Sequence, residues 1–247
     1  MYNIWTIAKR EYKHYFISPI AYVAALMLFL ILGIIFYANV AMAISQQSAP
    51  SIQIVVGPLV TILLFTTAAV TMRTIADEQR SGTLELLLTA PVRDWELITG
   101  KWLGAFIFMA TLVLATVIFP IFLNYITKPG IDQGLMTAAY LGVLLLVGVF
   151  VAVGVFISSL VTNQIAAFFL TWAVLLVFWM IGYVSQAMGS TGTNAFLQVL
   201  SFLDLSEHFY GTFYAGILEL KDILYYVSVI FVMLFFGTLT IESRRWR

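Results

Sequence analysis

Six long runs of apolar residues, each free of charge in its interior, alternate with short polar segments along this chain. They lie near Ile20 to Ala43, Ile52 to Met72, Trp102 to Ile126, Leu135 to Val161, Ile165 to Val184 and Ile223 to Ile241. About 20 such residues are needed to cross a hydrocarbon core about 30 Å thick, so each run predicts a membrane-spanning helix. Helices are expected rather than barrel strands, because the runs are continuously apolar instead of alternating at every second residue. The expected fold class is all-α integral membrane, a single unit over 1–247. The first run is too long for the core of a cleaved signal and lacks a small-residue cleavage site before Ser45-Gln-Gln-Ser-Ala-Pro50, so it is expected to stay as a helix.

Ahead of the first run, Ile4, Trp5, Ala8, Tyr12, Tyr15 and Phe16 recur at helical spacing, while Asn3, Lys9, Arg10, Lys13 and His14 fill the other face. Residues 1–18 are therefore expected to form an amphipathic helix in the membrane interface, with Trp5 and Tyr12 toward acyl chains and Lys9, Arg10 and Lys13 toward anionic headgroups. Pro19 permits the turn into the first span. The alternative is a cytoplasmic extension of the first span that merely ends in basic residues.

Composition agrees with the pattern. Hydrophobic residues make up 62% and charged residues 10%, with a mean hydropathy of +1.01, far from the roughly 25% charged of a soluble domain. The absence of cysteine excludes disulfides and thiolate metal sites. Orientation follows from cations in short loops. Lys9, Arg10, Lys13, Arg73, Arg80, Arg93, Lys101, Arg244, Arg245 and Arg247 fall on one side, and only Lys128 and Lys221 on the other. Both termini are thus expected in the cytoplasm of a prokaryotic cell whose plasma membrane the chain crosses. Thr162-Asn163-Gln164 leaves the fourth and fifth spans as a tight hairpin.

The polar connector 73–101, between the second and third spans, holds nine of the 24 charged residues. Gly82 and Thr83 can start a short helix there, with Glu85 in its first turn and Leu84, Leu86, Leu87 and Leu88 giving it a wide apolar surface. A second helix is expected from Arg93 and Asp94, with Glu96 three residues on as in a capping box, running through Gly100-Lys101 into the third span. Trp95 and Trp102 suit the membrane interface.

The string Asp77-Glu78-Gln-Arg80-Ser-Gly82-Thr83-Leu84-Glu85-Leu-Leu-Leu-Thr-Ala-Pro91-Val-Arg-Asp-Trp95-Glu96-Leu-Ile-Thr-Gly100-Lys101 resembles the signature of ABC-2 type permeases, the membrane subunits of ABC exporters. Leu205-Ser-Glu207-His208-Phe209, Gly216-Ile-Leu-Glu-Leu-Lys-Asp222 and Glu242-Ser-Arg244-Arg245-Trp246-Arg247 are similar to the gliding-motility and copper-maturation branch of that family. Arg93 departs from it, standing where a small N-cap such as Ser would be.

The resemblance implies a six-helix, type V exporter-like permease. It would have an amino-terminal interface helix, a coupling helix over Gly82 to Ala90, outer re-entrant helices within 185–222 and a cytoplasmic tail at 242–247. It also implies a separate ABC ATPase subunit, contacted through Glu78, Arg80, Gly82, Thr83, Leu84, Glu85, Leu86, Leu87 and Leu88, and a second permease, identical or homologous. An additional periplasmic or extracellular component is compatible with it.

No Gly-x-x-x-x-Gly-Lys-Ser/Thr phosphate loop occurs in the sequence, so no cofactor is expected on this chain; ATP and Mg²⁺ would belong to the ATPase. A secondary transporter would carry ionisable groups at mid-membrane, and the six runs carry none. A channel-like scaffold or a membrane assembly factor remains the alternative. Without a basic belt no nucleic acid partner is expected, and an amphipathic or lipid-like cargo suits the aromatic content. Mild polar residues such as Asn39 and Thr61, and the pairs Gly148 with Ala152 and Gly154 with Ser158, are read as helix-packing features, with Pro58 and Pro120 as kinks. Asp204, Glu207 and His208 could form a metal site but are more economically a helix cap with interfacial hydrogen bonds.

Overall fold

The computed structural model describes residues 2–83, 92–187 and 202–245, and among these all regular structure is helical. The chain runs α1 (Tyr2–Ile17), α2 (Pro19–Ser45), α3 (Gln53–Thr71), α4 (Ala76–Arg80), α5 (Asp94–Ala115), α6 (Ile118–Ile126), α7 (Gln133–Leu160), α8 (Gln164–Ala187), α9 (Leu205–Tyr210), a 3₁₀ turn (Phe213–Ala215) and α10 (Leu220–Arg245). Six helical stretches are long and apolar enough to cross a membrane. Ser18 is extended, as the residue before a proline tends to be, and it separates α1 from α2.

The two expected kinks differ. Pro58 stays inside α3, although it cannot donate to the Ile54 carbonyl; that oxygen instead accepts from Asn39 Nδ2 of α2 at 3.4 Å. Pro120 likewise cannot reach the Thr116 carbonyl, and here the helix breaks. The Phe119 N–H takes that oxygen at 3.0 Å, leaving α5 and α6 as two segments of the third span.

α7 is the centre of the bundle. It packs on α3, α5, α8 and α10, and its small residues decide how closely. A Cβ on Gly154 would lie 2.1 Å from Thr71 Oγ1, and one on Gly142 would lie 2.4 Å from Phe213 Cβ. Both glycines therefore mark places where a neighbour occupies the side-chain volume. Ala152 and Ser158 are fully buried on the same helix. The expected hairpin is present, with α7 ending at Leu160 and α8 beginning at Gln164.

At the opposite end from the connector, Asp204 caps α9 by accepting from the Ser206 N–H at 2.9 Å. The cap assigned to this stretch is thus present at Asp204. His208 Nδ1 lies 2.6 Å from Asp222 Oδ1, and the Tyr226 hydroxyl donates to the Leu205 carbonyl at 3.2 Å, so α9 is tied to the start of α10. Gly216 closes the 3₁₀ turn with φ of +85°, where L side chains are strained. The segment from Met188 to Asn194, and Phe196 of the aromatic stretch, lie outside the described residues.

Candidate functional site

The amino-terminal helix forms as the periodicity predicts, but the protein uses much of the face assigned to acyl chains. α1 crosses the beginning of α5 at Gly100 and Gly104, spaced four apart so that both face the partner. A Cβ on Gly100 would stand 2.8 Å from Ile7 Cβ, and one on Gly104 2.6 Å from Glu11 Cβ. Ala8 and Tyr15 are buried at this contact, and Tyr15 stacks on Phe108 with ring centroids 4.9 Å apart. Tyr12 is half-buried and shares a hydrogen bond with Thr111 Oγ1 at 3.4 Å. Trp5, 59% exposed, and Lys9, Arg10 and Lys13 remain on the surface.

Beside the crossing lies Lys101, only 1% exposed. An ammonium has three N–H donors, and all three have acceptors: Glu11 Oε1 of α1 at 3.1 Å, Glu78 Oε1 of α4 at 2.7 Å and the Thr74 carbonyl at 2.9 Å. Burial pushes the Glu11 carboxyl up, yet the charges and hydrogen bonds of Lys101 and Arg10 outweigh it and hold its pKa below the ordinary carboxylate value. Burial raises the Tyr15 phenol, which shares a hydrogen bond with Thr74 Oγ1 at 3.5 Å and stays neutral at physiological pH.

The near half of the connector is fastened from other sides as well. Ser158 Oγ of α7 accepts the Ile75 and Ala76 N–H groups at 3.1 and 3.0 Å, satisfying backbone donors at the start of α4. Gln79 Nε2 donates to the Ser159 carbonyl at 2.8 Å, and Gln164 of α8 donates to Asp77. Arg244 of α10 donates to the Ser159 and Leu160 carbonyls, both at 3.2 Å, at the carboxyl end of α7 where a cation is favoured. The start of α5 is held in turn: Glu96 accepts from its own turn at the Arg93 N–H, 3.2 Å, and from Asn3 Nδ2 of α1, 3.1 Å. Backbone chemistry and Glu96 therefore serve the helix start that Arg93 occupies.

Of the residues assigned to a partner contact, Glu78 accepts a hydrogen bond from Lys101 within the chain and remains partly exposed. Arg80, Gly82 and Thr83 are exposed at the far end of α4, where Gly82 has φ of +72°. Leu84, Glu85, Leu86, Leu87 and Leu88 lie outside the described residues. Trp95 is exposed, and Trp102, partly buried, donates its indole N–H to the Gly148 carbonyl of α7 at 3.0 Å. Glu11 and Thr74 were not singled out by sequence, and Asn3 only as part of the polar face of α1. The available signals were that Glu11 is the one acidic residue on α1 and that Gly100 and Gly104 form a small-xxx-small pair flanking Lys101.

A second feature lies along the side of the bundle. An apolar groove of about 860 Å³ runs between α2, α3 and α8, lined among others by Met27, Ile31, Pro58, Phe65, Phe168 and Tyr210. The exposed face of α2 forms one wall.

Residues 5–244 match the family described as ABC-2 family transporter protein. No curated protein matches the chain. A match over nearly the whole chain, with six helices among the described residues able to cross a membrane, means that this protein belongs to the ABC-2 family of transporter proteins.

Proposed function

We propose that the chain is the permease subunit of an ATP-driven exporter, coupled to a separate ATPase through the connector and paired with a second permease across the α2 and α8 face. The observation that carries this reading is the clamp around Lys101. Because α4 is bonded to α5, α7 and α8 and, through Lys101, to α1, a push on the segment beyond Thr83 would be shared by several helices instead of dissipating in a loose loop. The family supports partnership with an ABC ATPase. The excess of cations on the connector side supports a cytoplasmic position for it and both termini. The carboxyl-terminal strings around Glu207-His208 and Glu242-Ser-Arg244 support a place in the gliding-motility and copper-maturation branch. The apolar groove supports an amphipathic cargo.

The test is to replace Glu85 by Lys in the apolar surface of Leu84 to Leu88. If this segment docks in a groove of the ATPase, the change should weaken the complex by about 2–5 kcal/mol, and transport and substrate-stimulated ATP hydrolysis should fall together while membrane insertion is unaffected. Glu219→Lys, at the other end of the molecule, should leave assembly at the level of the unaltered protein. Mass measurement of the intact complex should give two permeases with two ATPases. Wild-type assembly by Glu85→Lys, or loss of assembly by Glu219→Lys, refutes the coupling assignment.

A further inference from the structure

Where α1, α4 and the residues after α3 meet, they line an open pocket of about 490 Å³, within the range of small-ligand sites. Its charged lining balances: Arg10, Arg73 and Lys101 stand against Glu11, Asp77 and Glu78. Most of these groups have partners. Lys101 takes Glu11 and Glu78, Arg10 takes Glu11 at 3.3 Å, and Asp77 takes Gln164. Two do not close. Arg73 makes no hydrogen bond or ion pair among the described residues, and its Nε is shielded from solvent; Glu78 uses Oε1 on Lys101, while its Oε2 is buried without a partner. Leaving a shielded guanidinium N–H and a carboxylate oxygen unpaired is costly, and they do not pair with each other, so the first calls for an acceptor and the second for a donor.

The cavity's place identifies the kind of molecule that brings both. Ser18 forms part of its wall, and α2 begins at the next residue. Ile17, next to Ser18 in the chain, and Tyr22 and Val23 in the first turns of α2 are exposed apolar side chains. A polar chamber thus adjoins the point at which the chain enters the apolar layer, the level of phospholipid headgroups.

We propose that this cavity binds a zwitterionic headgroup carrying a phosphate and a primary ammonium, as in an ethanolamine phospholipid, with the phosphate on Arg73 and the ammonium on Glu78. The planar guanidinium suits a phosphate oxygen pair, and an ammonium supplies the N–H that Glu78 Oε2 lacks. The acyl chains would lie along the exposed beginning of α2. The assignment holds whether or not an ATPase docks on the connector.

The experiment uses the purified full-length chain in detergent, exposed to phosphatidylethanolamine, phosphatidylcholine or phosphatidylglycerol, with retained lipid measured by native mass spectrometry. Phosphatidylethanolamine should be retained about tenfold more tightly than phosphatidylcholine, whose methylated nitrogen cannot donate to Glu78, and more tightly than phosphatidylglycerol, which has no cation. Arg73→Gln should weaken phosphatidylethanolamine by about tenfold, whereas Lys128→Gln, an exposed cation remote from the cavity, should not. Equal retention of the three lipids, a preference for phosphatidylglycerol, or unchanged binding by Arg73→Gln overturns the proposal. Free phosphoethanolamine displacing the lipid at comparable concentration overturns the lipid source and leaves a soluble zwitterion as the ligand. Should Arg73→Gln not fold, the ranking of the three lipids by the unaltered chain decides.

Discussion

The first and fourth spans are almost equally long and both strongly apolar, yet 78% of the most apolar window of the fourth is buried within this chain against 22% of the first. Hydrophobicity alone does not explain the difference, because lipid is as good a solvent for Leu as a protein core is. Surface shape does. α7 presents Gly142, Gly148, Ala152, Gly154 and Ser158, which let four neighbouring helices approach, and it offers Ser158 Oγ and the Ser159 and Leu160 carbonyls as acceptors for the connector and α10. α2 presents Leu26, Met27, Leu30, Ile31 and Ile34, large side chains that remain exposed. One helix organises this chain, and the other leaves its large side chains on the outside of it.

The sharpest way to break that contrast is to give both helices the wrong size of side chain. Gly154→Leu would force a branched side chain into the space of Thr71 and should abolish recovery of folded, monodisperse protein on size-exclusion chromatography. Leu30→Ala, on the exposed face of α2, should shift the thermal midpoint hardly at all, about the 0.5 kcal/mol typical of surface changes. Comparable losses from the two would show that α2 is packed within the single chain.

A smaller but still large effect is expected at the clamp. Lys101→Met leaves Glu11 and Glu78 buried without their cation and should cost about 3–5 kcal/mol, read as a lowered unfolding midpoint and faster proteolysis within α1. Unchanged stability would mean that the α1 crossing rests on Gly100 and Gly104 alone. Trp102→Phe removes one hydrogen bond to the Gly148 carbonyl while keeping an aromatic ring, so about 1 kcal/mol should be lost. No loss would place Trp102 among the interfacial aromatics that its position in the sequence suggests.

Acid gives the mildest perturbation. The Glu11 carboxyl titrates below its unfolded value near 4.5, so its stabilising contribution is present above that value and is lost as pH falls through the lower, folded pKa. The share of α1's resistance to proteolysis that comes from Glu11 should therefore hold from neutral pH to about pH 5 and fall only in stronger acid. Burial holds the Glu78 carboxyl above its ordinary value, so that group takes up its proton earlier and does not add to the loss. A rise in proteolysis beginning near neutrality would point to a group other than Glu11.

Local patterns made much of this architecture legible. Six uninterrupted apolar runs predicted six helices that could cross a membrane, and the amphipathic spacing from Ile4 to Phe16 predicted α1. Glu96 marked the start of α5 and Asp204 that of α9, because caps bond within a few residues. The match of residues 5–244 to the ABC-2 family agrees with the resemblance read from the connector.

What the tertiary structure alone decided is which faces of these helices meet, and there it added contacts the sequence did not announce. Glu78, assigned to a partner contact, also holds Lys101, and Trp102, placed at the interface, also bonds the Gly148 carbonyl. Lys101 read as one more flanking cation, and Glu11 drew no attention, although the two are bonded across 90 positions of sequence. Periodicity reports the state of a helix because its hydrogen bonds are local. It carries no record of which distant carboxylate will share a buried ammonium, a choice made by the close crossing that Gly100 and Gly104 permit.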